Sequence, residues 1–268
     1  MRTSHKNIIA NSTMLFVITS VLVMTLHEFG HFFASILVHA RQISIHHNYT
    51  SNSGEGVSLI SMLFIKGAGP FVNLIIGVLF HFVCGRQTRR DAMSLFYAYM
   101  SLFGYIGFFG YLIIAPKTPG GDTGYVFYAL DFPPWVMDLL AVIGVIALYI
   151  LINRLMKYFV LMGSKEIIEN EGERTSFVRS LILFPLIIGI IVTTLLNLPV
   201  PVTMSLIAPI CGSLTILFGY GNASKRNYTL ENTNDEFGEF NRFNFPLSIF
   251  FVLTIIMNRL LAEGIYVN

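Results

Sequence analysis

The sequence predicts an all-α polytopic membrane protein of about seven transmembrane helices, with a small membrane-associated β-hairpin after the first helix. Three observations carry this expectation. Of 268 residues, 54% are hydrophobic and only 12% are charged, against about 25% charged in an ordinary soluble domain. The mean hydropathy is +0.67. The apolar residues also come in blocks near the ~20 residues that a helix needs to cross a bilayer core. This composition excludes a soluble globular enzyme, a disordered chain and an ordinary nucleic-acid binder. The partner to expect is therefore a lipid bilayer.

The first apolar block, 13–39, follows Arg2 and Lys6. That start is similar to a secretory signal, but the run is long and has no clear small-x-small cleavage site, so a retained span is expected. Next, Ile43 and Ile45 alternate with polar residues, which suggests a strand, and 57–63 is its expected partner across the loop 50–56. The second span is expected over 69–84, with an earlier start near Leu59 as the alternative. Spans three to seven are expected over 92–114, 134–160, 177–196, 202–220 and 245–261. The turn between the fifth and sixth is Asn197-Leu-Pro-Val-Pro201. Polar stretches 164–176 and 221–244 read as solvated linkers. Cys84 and Cys211 lie in separate apolar runs, so no disulfide or cysteine metal site is expected.

Lys and Arg set orientation. With seven spans, thirteen of the seventeen basic residues fall on one face, in the N-terminus and the loops 85–91, 154–179 and 220–244. That bias predicts a cytoplasmic N-terminus, in a plasma-membrane type of setting.

The chemistry concentrates in His27-Glu-Phe-Gly-His31, inside the first apolar run. A charged group at the centre of a membrane helix costs about 2.5–3.5 kcal/mol on insertion scales, so one kept at depth is a functional candidate by default. Glu28 is the acidic residue set well inside a span. His27 and His31 are four residues apart and share one helix face. Two imidazoles so placed can bind one Zn2+ at about 2.0–2.1 Å each. Glu28, to the side of the metal, can take a proton from a bound water without being a ligand. The bland alternatives are a chance match and a structural hydrogen-bonded cluster.

Zinc needs a third protein ligand and an open fourth position. The candidates are Asp122, His46, His47, His39, His81, Glu55 and Asp91. Asp122 is the best of them. It lies in Pro116-Lys-Thr-Pro-Gly-Gly-Asp-Thr-Gly124, which breaks the helix after the third span. Irregular backbone near membrane depth survives only where protein buries it or water lines it. The first and third spans also end on the same face. The plain alternative for Asp122 is a helix N-cap. His46 and His47 read as surface histidines, and His81 as a packed, hydrogen-bonded one. Gly104, Gly107 and Gly110 form a stripe suited to close helix packing.

These features resemble the site-2 protease family of intramembrane zinc metalloproteases, peptidase family M50, and its smaller M50B-like members in particular. His27-Glu-Phe-Gly-His31 sits in a membrane helix. Gly67-Ala-Gly-Pro-Phe-Val-Asn73 is similar to the family's Gly-Pro-x-x-Asn element. Gly120-Gly-Asp122 falls where the family places its ligand aspartate. The resemblance covers roughly 14–160. It implies a catalytic membrane core over 1–160 and additional transmembrane helices over 161–268. It further implies one Zn2+ per chain held by His27, His31 and Asp122, with Glu28 as general base. Asn73 would hold the scissile peptide or its developing oxyanion, and the 43–63 hairpin would hold extended substrate by strand addition. The expected activity is hydrolysis of a peptide bond in or near a transmembrane segment of a membrane-protein substrate. Two other readings remain: a transporter or ion carrier using the His/Glu cluster, and a non-catalytic relative that binds membrane partners.

Overall fold

Seven helices among the described residues are long and apolar enough to cross a membrane, as the sequence predicts. The computed structural model describes residues 4–87, 91–200, 204–225 and 242–267. The start of the predicted sixth span (202–203), most of the predicted 220–244 loop, and Arg2, Arg89, Arg90 and Arg226 lie outside them.

Helix α1, His5–Leu37, is the hub. It packs against α2 (Leu59–Arg86), α3 (Ala92–Ile114), α8 (Phe184–Leu196) and α11 (Phe245–Ala262). Its apolar residues Leu15, Phe16, Val17 and Ile18 are almost wholly buried. Phe16 meets Phe103 edge-to-face at 4.9 Å and Tyr99 at 5.9 Å, geometry that aromatic pairs favour. With no hydrophobic drive between helices in lipid, close contact has to come from small residues. Gly104 of α3 lies directly on Gly77 of α2, where an added Cβ would collide with backbone. Gly110, by contrast, has open space before it. Gly104→Leu is therefore expected to destabilise the fold by about 1–3 kcal/mol or more through overpacking. Gly110→Leu should leave it nearly unchanged. Thermal unfolding of the two variants in detergent checks this.

After α1 the chain forms β1, Ile43–Ile45, paired antiparallel with β2, Thr50–Ser51. The predicted partner, 57–63, is not a strand. Ser58 caps α2 by accepting from the Ser61 N–H at 3.2 Å, and the apolar run from Leu59 joins the second span. That span is accordingly longer than 69–84. The other neighbour of β1 is β3, Ile265–Val267, giving the order β2-β1-β3. Ile43 and Ile45 anchor the sheet on Phe32 of α1.

His46 and His47 are not surface residues as expected; both are buried. The His46 ring stacks on Tyr49 at 4.2 Å. His47 Nε2 donates to the Asn197 carbonyl at 3.1 Å, and Asn48 Nδ2 donates to the same oxygen at 2.7 Å. Burial pushes the His47 pKa down, which keeps the ring neutral at physiological pH. The segment thus ties the sheet to the turn after α8.

The polypeptide leaves α3 through a 3-10 turn, Ala115–Lys117, into the short helix α4, Asp122–Ala129, and then α5, Pro134–Val160. Segment 164–176 is solvated along much of its length, as expected, but it is helical rather than an irregular linker. It forms α6, Lys165–Glu169, and α7, Glu171–Val178, with Asn170 capping α7. Arg174 is buried there, donating to the carbonyls of Ile168 and Ser224, so no buried guanidinium N–H goes begging on that side. The fifth span continues from α7 through a π-helical stretch, Arg179–Leu183, into α8. The sixth is divided into α9, Met204–Leu214, and α10, Leu217–Lys225.

Candidate metal centre

The site forms where α1, α2 and the start of α4 meet. His27 and His31 project from one face of α1, one turn apart, and both rings are buried. The α2 backbone comes unusually near them because residue 69 is glycine; a Cβ there would strike both imidazoles. Thr118 O accepts from the Gly121 N–H at 2.9 Å, and the turn this closes delivers Asp122 as the first residue of α4. Gly121 occupies the N-cap position. Asp122 thus reaches into the site rather than capping its helix.

Asp122 Oδ2 lies 3.2 Å from His27 Nε2 and 3.1 Å from His31 Nε2, and the two Nε2 atoms are 3.1 Å apart. Four ligands at about 2.0–2.1 Å around a tetrahedral centre stand about 3.3 Å from one another. The three observed edges are only slightly shorter, so one ion fits above this triangle with a fourth position left open. His27, His31 and Asp122 could hold a metal ion, and they are the one such group among the described residues.

Groups behind the ligands fix their orientation, as metal sites require. His31 Nδ1 donates to the Ile65 carbonyl at 2.7 Å, which leaves its Nε2 lone pair free. His27 Nδ1 lies 2.9 Å from Asn73 Nδ2, while Asn73 Oδ1 is buried without a partner. A half-turn of the amide brings Oδ1 to the imidazole as acceptor of the Nδ1–H. His27 Nε2 is then free for a metal as well. Gly107 makes room for that amide, since a Cβ there would overlap it. Asn73 therefore meets the ring nitrogen remote from Asp122, where it orients the His27 imidazole. Asn73→Ala is expected to weaken metal affinity by about 10–100-fold, and Asn73→Asp, which keeps an acceptor, to restore most of it. Competition with a chromogenic chelator checks both.

Lys66 Nζ lies 3.4 Å from Asp122 Oδ1, on the carboxylate oxygen that the imidazoles do not use. Tyr111 stacks flat on the His27 ring, 5.1 Å between centroids and 10° between planes. Glu28 is buried, and its carboxylate has no hydrogen bond among the described residues. It borders a cavity of about 480 Å3 shared with His31, Asp122, Lys66, Lys117 and residues of α9. The β2 residue Thr50 borders this cavity too, and its hydroxyl donates to the Glu28 carbonyl at 3.0 Å.

The other candidate ligands lie elsewhere. His81 pairs with the Tyr105 hydroxyl at 3.1 Å, and Asp91 caps α3 through the Ser94 N–H at 2.9 Å. His46 and His47 belong to the sheet and its turn, His39 lies in the turn just past α1 with φ of 57°, and Glu55 is exposed in a loop. Sequence reasoning passes over Lys66, because a second span beginning at 69 puts it in a loop. The rule that flags Glu28, an ionisable group within an apolar run, finds Lys66 once the run is followed from Leu59. The contribution of α9 has no comparable signal.

Comparison with family models, characterised proteins and solved structures finds no match to this chain. The chemistry of the site itself therefore has to carry the functional assignment.

Proposed function

We propose that this chain is an intramembrane zinc metalloendopeptidase of the site-2 protease type, cutting a peptide bond in or near a transmembrane segment of another membrane protein. The observation that carries the reading is the triangle of His27, His31 and Asp122 ligand atoms with Glu28 beside it on a roomy cavity. A nitrogen-rich three-ligand set with an open position suits zinc. Bound zinc would lower the pKa of a coordinated water to about 7 and polarise the substrate carbonyl.

The residues divide the remaining work. His27, His31 and Asp122 hold the ion. Lys66 keeps Asp122 turned so that Oδ2 faces the rings, and Asn73 and the Ile65 carbonyl set the imidazole tautomers. Glu28 accepts a proton from the attacking water and delivers it to the leaving amine. The edge of β2 beside Glu28 supports strand addition as the way substrate is held. A helical peptide bond is closed off by its own hydrogen bonds, and an extended one is open to attack. The Lys/Arg distribution supports a cytoplasmic N-terminus, in a cell membrane.

The test compares membranes of cells expressing wild-type protein or Glu28→Gln. New protein N-termini are mapped by mass spectrometry. Termini inside predicted transmembrane segments that appear with wild type alone support the reading. Identical sets of termini reject it. A carrier would lose its metal during purification, whereas a catalytic site should keep one zinc per chain.

A further inference from the structure

A second cavity, of about 170 Å3, lies on the other side of His27, between α3 and α9. His27, Asn73, Ile106, Gly110, Ile113 and Gly212 are among the residues that line it. Its wall is mainly aliphatic and aromatic. It adjoins the first cavity, since Met24, Tyr111, Ile114, Ala208 and Pro209 border both. The metal-ligand cluster therefore stands at a junction, with a polar chamber on the Glu28 side and an apolar one behind His27.

An apolar cavity of about 150 Å3 stays dry and takes a benzene-sized group, so 170 Å3 suits a leucine, methionine or phenylalanine side chain. An extended peptide advances about 3.3 Å per residue and turns successive side chains to opposite sides. A segment with its scissile carbonyl at the ion in the first chamber thus has a neighbouring side chain within reach of the second. Gly110 opens straight onto this space, with no atom within 4 Å of where its Cβ would be. The size of that residue sets the depth of the chamber without touching the helix packing.

We propose that this chamber is a specificity pocket taking one bulky apolar side chain next to the scissile bond, and that Gly110 sets the size it accepts. This assignment rests on the peptidase reading. It adds a substrate class: segments with a leucine-, methionine- or phenylalanine-sized residue flanking the cut, in preference to glycine or alanine.

The probes are glycine, leucine and phenylalanine hydroxamates, whose metal-binding group is constant while the side chain varies. Binding to zinc-loaded full-length protein in detergent is measured by calorimetry. Leucine and phenylalanine hydroxamates should bind at least about 10-fold more tightly than glycine hydroxamate, the discrimination that apolar pockets reach. Gly110→Phe should abolish that preference, bringing leucine and phenylalanine hydroxamates down to the affinity of glycine hydroxamate. If Gly110→Phe does not fold, Cys211→Trp narrows the chamber from the facing wall, with the same expected outcome. Cys211 provides a reporter independent of the metal, because it borders the chamber and is exposed whereas Cys84 is buried. Leucine hydroxamate should slow Cys211 alkylation by N-phenylmaleimide several-fold, and glycine hydroxamate should not. Equal affinity of the three hydroxamates, or a preference untouched by both variants, overturns the pocket and leaves the peptidase reading standing. If none of them binds while Cys211 still reacts readily, the metal reading fails and takes this assignment with it.

Discussion

Glu28→Gln is expected to lower cleavage by about 10²–10⁴-fold, the usual worth of a positioned general base, while zinc stays at one per chain. Glutamine has nearly the shape of glutamate but cannot accept a proton at the working pH. The metal should be unaffected, because the residues placed to hold one are His27, His31 and Asp122. The fold should be unaffected too, because the Glu28 carboxylate has no hydrogen bond among the described residues and its removal orphans no partner. Replacing an ionisable group at membrane depth with a neutral one also lowers the cost of insertion. Metal analysis of purified protein, together with cleavage in reconstituted vesicles, separates the two effects. Loss of zinc along with activity would make Glu28 a ligand, and undiminished cleavage would remove it from the chemistry.

Asp122→Ala should act on the metal instead, reducing zinc from one per chain to a small fraction. Two imidazoles whose Nε2 atoms are 3.1 Å apart would be left without an anionic third ligand, and Lys66 would lose the carboxylate it faces. Asp122→Asn should fall close behind, since an amide fits the space but carries no charge to offset the ion. Neither change should unfold the chain, because Asp122 does not cap α4 and Gly121 holds that position. His81→Ala is the control: it removes a half-buried imidazole bonded to Tyr105 and should leave zinc content unchanged. Elemental analysis after gel filtration reads all three. Zinc retained at full occupancy in Asp122→Ala would mean that the acid on α4 is a bystander.

The parts of the site legible in the sequence were those carried by local spacing. His27 and His31 show their shared face through a four-residue interval, and Glu28 stands out because ionisable groups are costly in lipid. Asp122 could be singled out because prolines and glycines interrupt an apolar run just before it. The seven spans were legible for a similar reason, as each is a contiguous apolar block. The misread features depend on residues far apart in the chain. His46 and His47 look like surface histidines because what buries them includes the Asn197 carbonyl and Gly264. In the 164–176 stretch the other charged residues are exposed as read, but nothing in the sequence shows that Arg174 is enclosed by backbone oxygens, one of them from Ser224. Strand 57–63 was a wrong period assignment, since a short apolar run fits strand and helix equally well and Ser58 decided for the helix.

The pairing of β1 with β3 bears on how the molecule is made. Ile43–Ile45 leaves the ribosome soon after the first span, while Ile265–Val267 follows the seventh. Long-range strand pairing of this kind forms late. The local β1–β2 pair beside Glu28 can form early, but the three-stranded sheet stays incomplete until the C-terminal strand has been made. Completion of the sheet is thereby coupled to completion of the chain through its last long apolar helix.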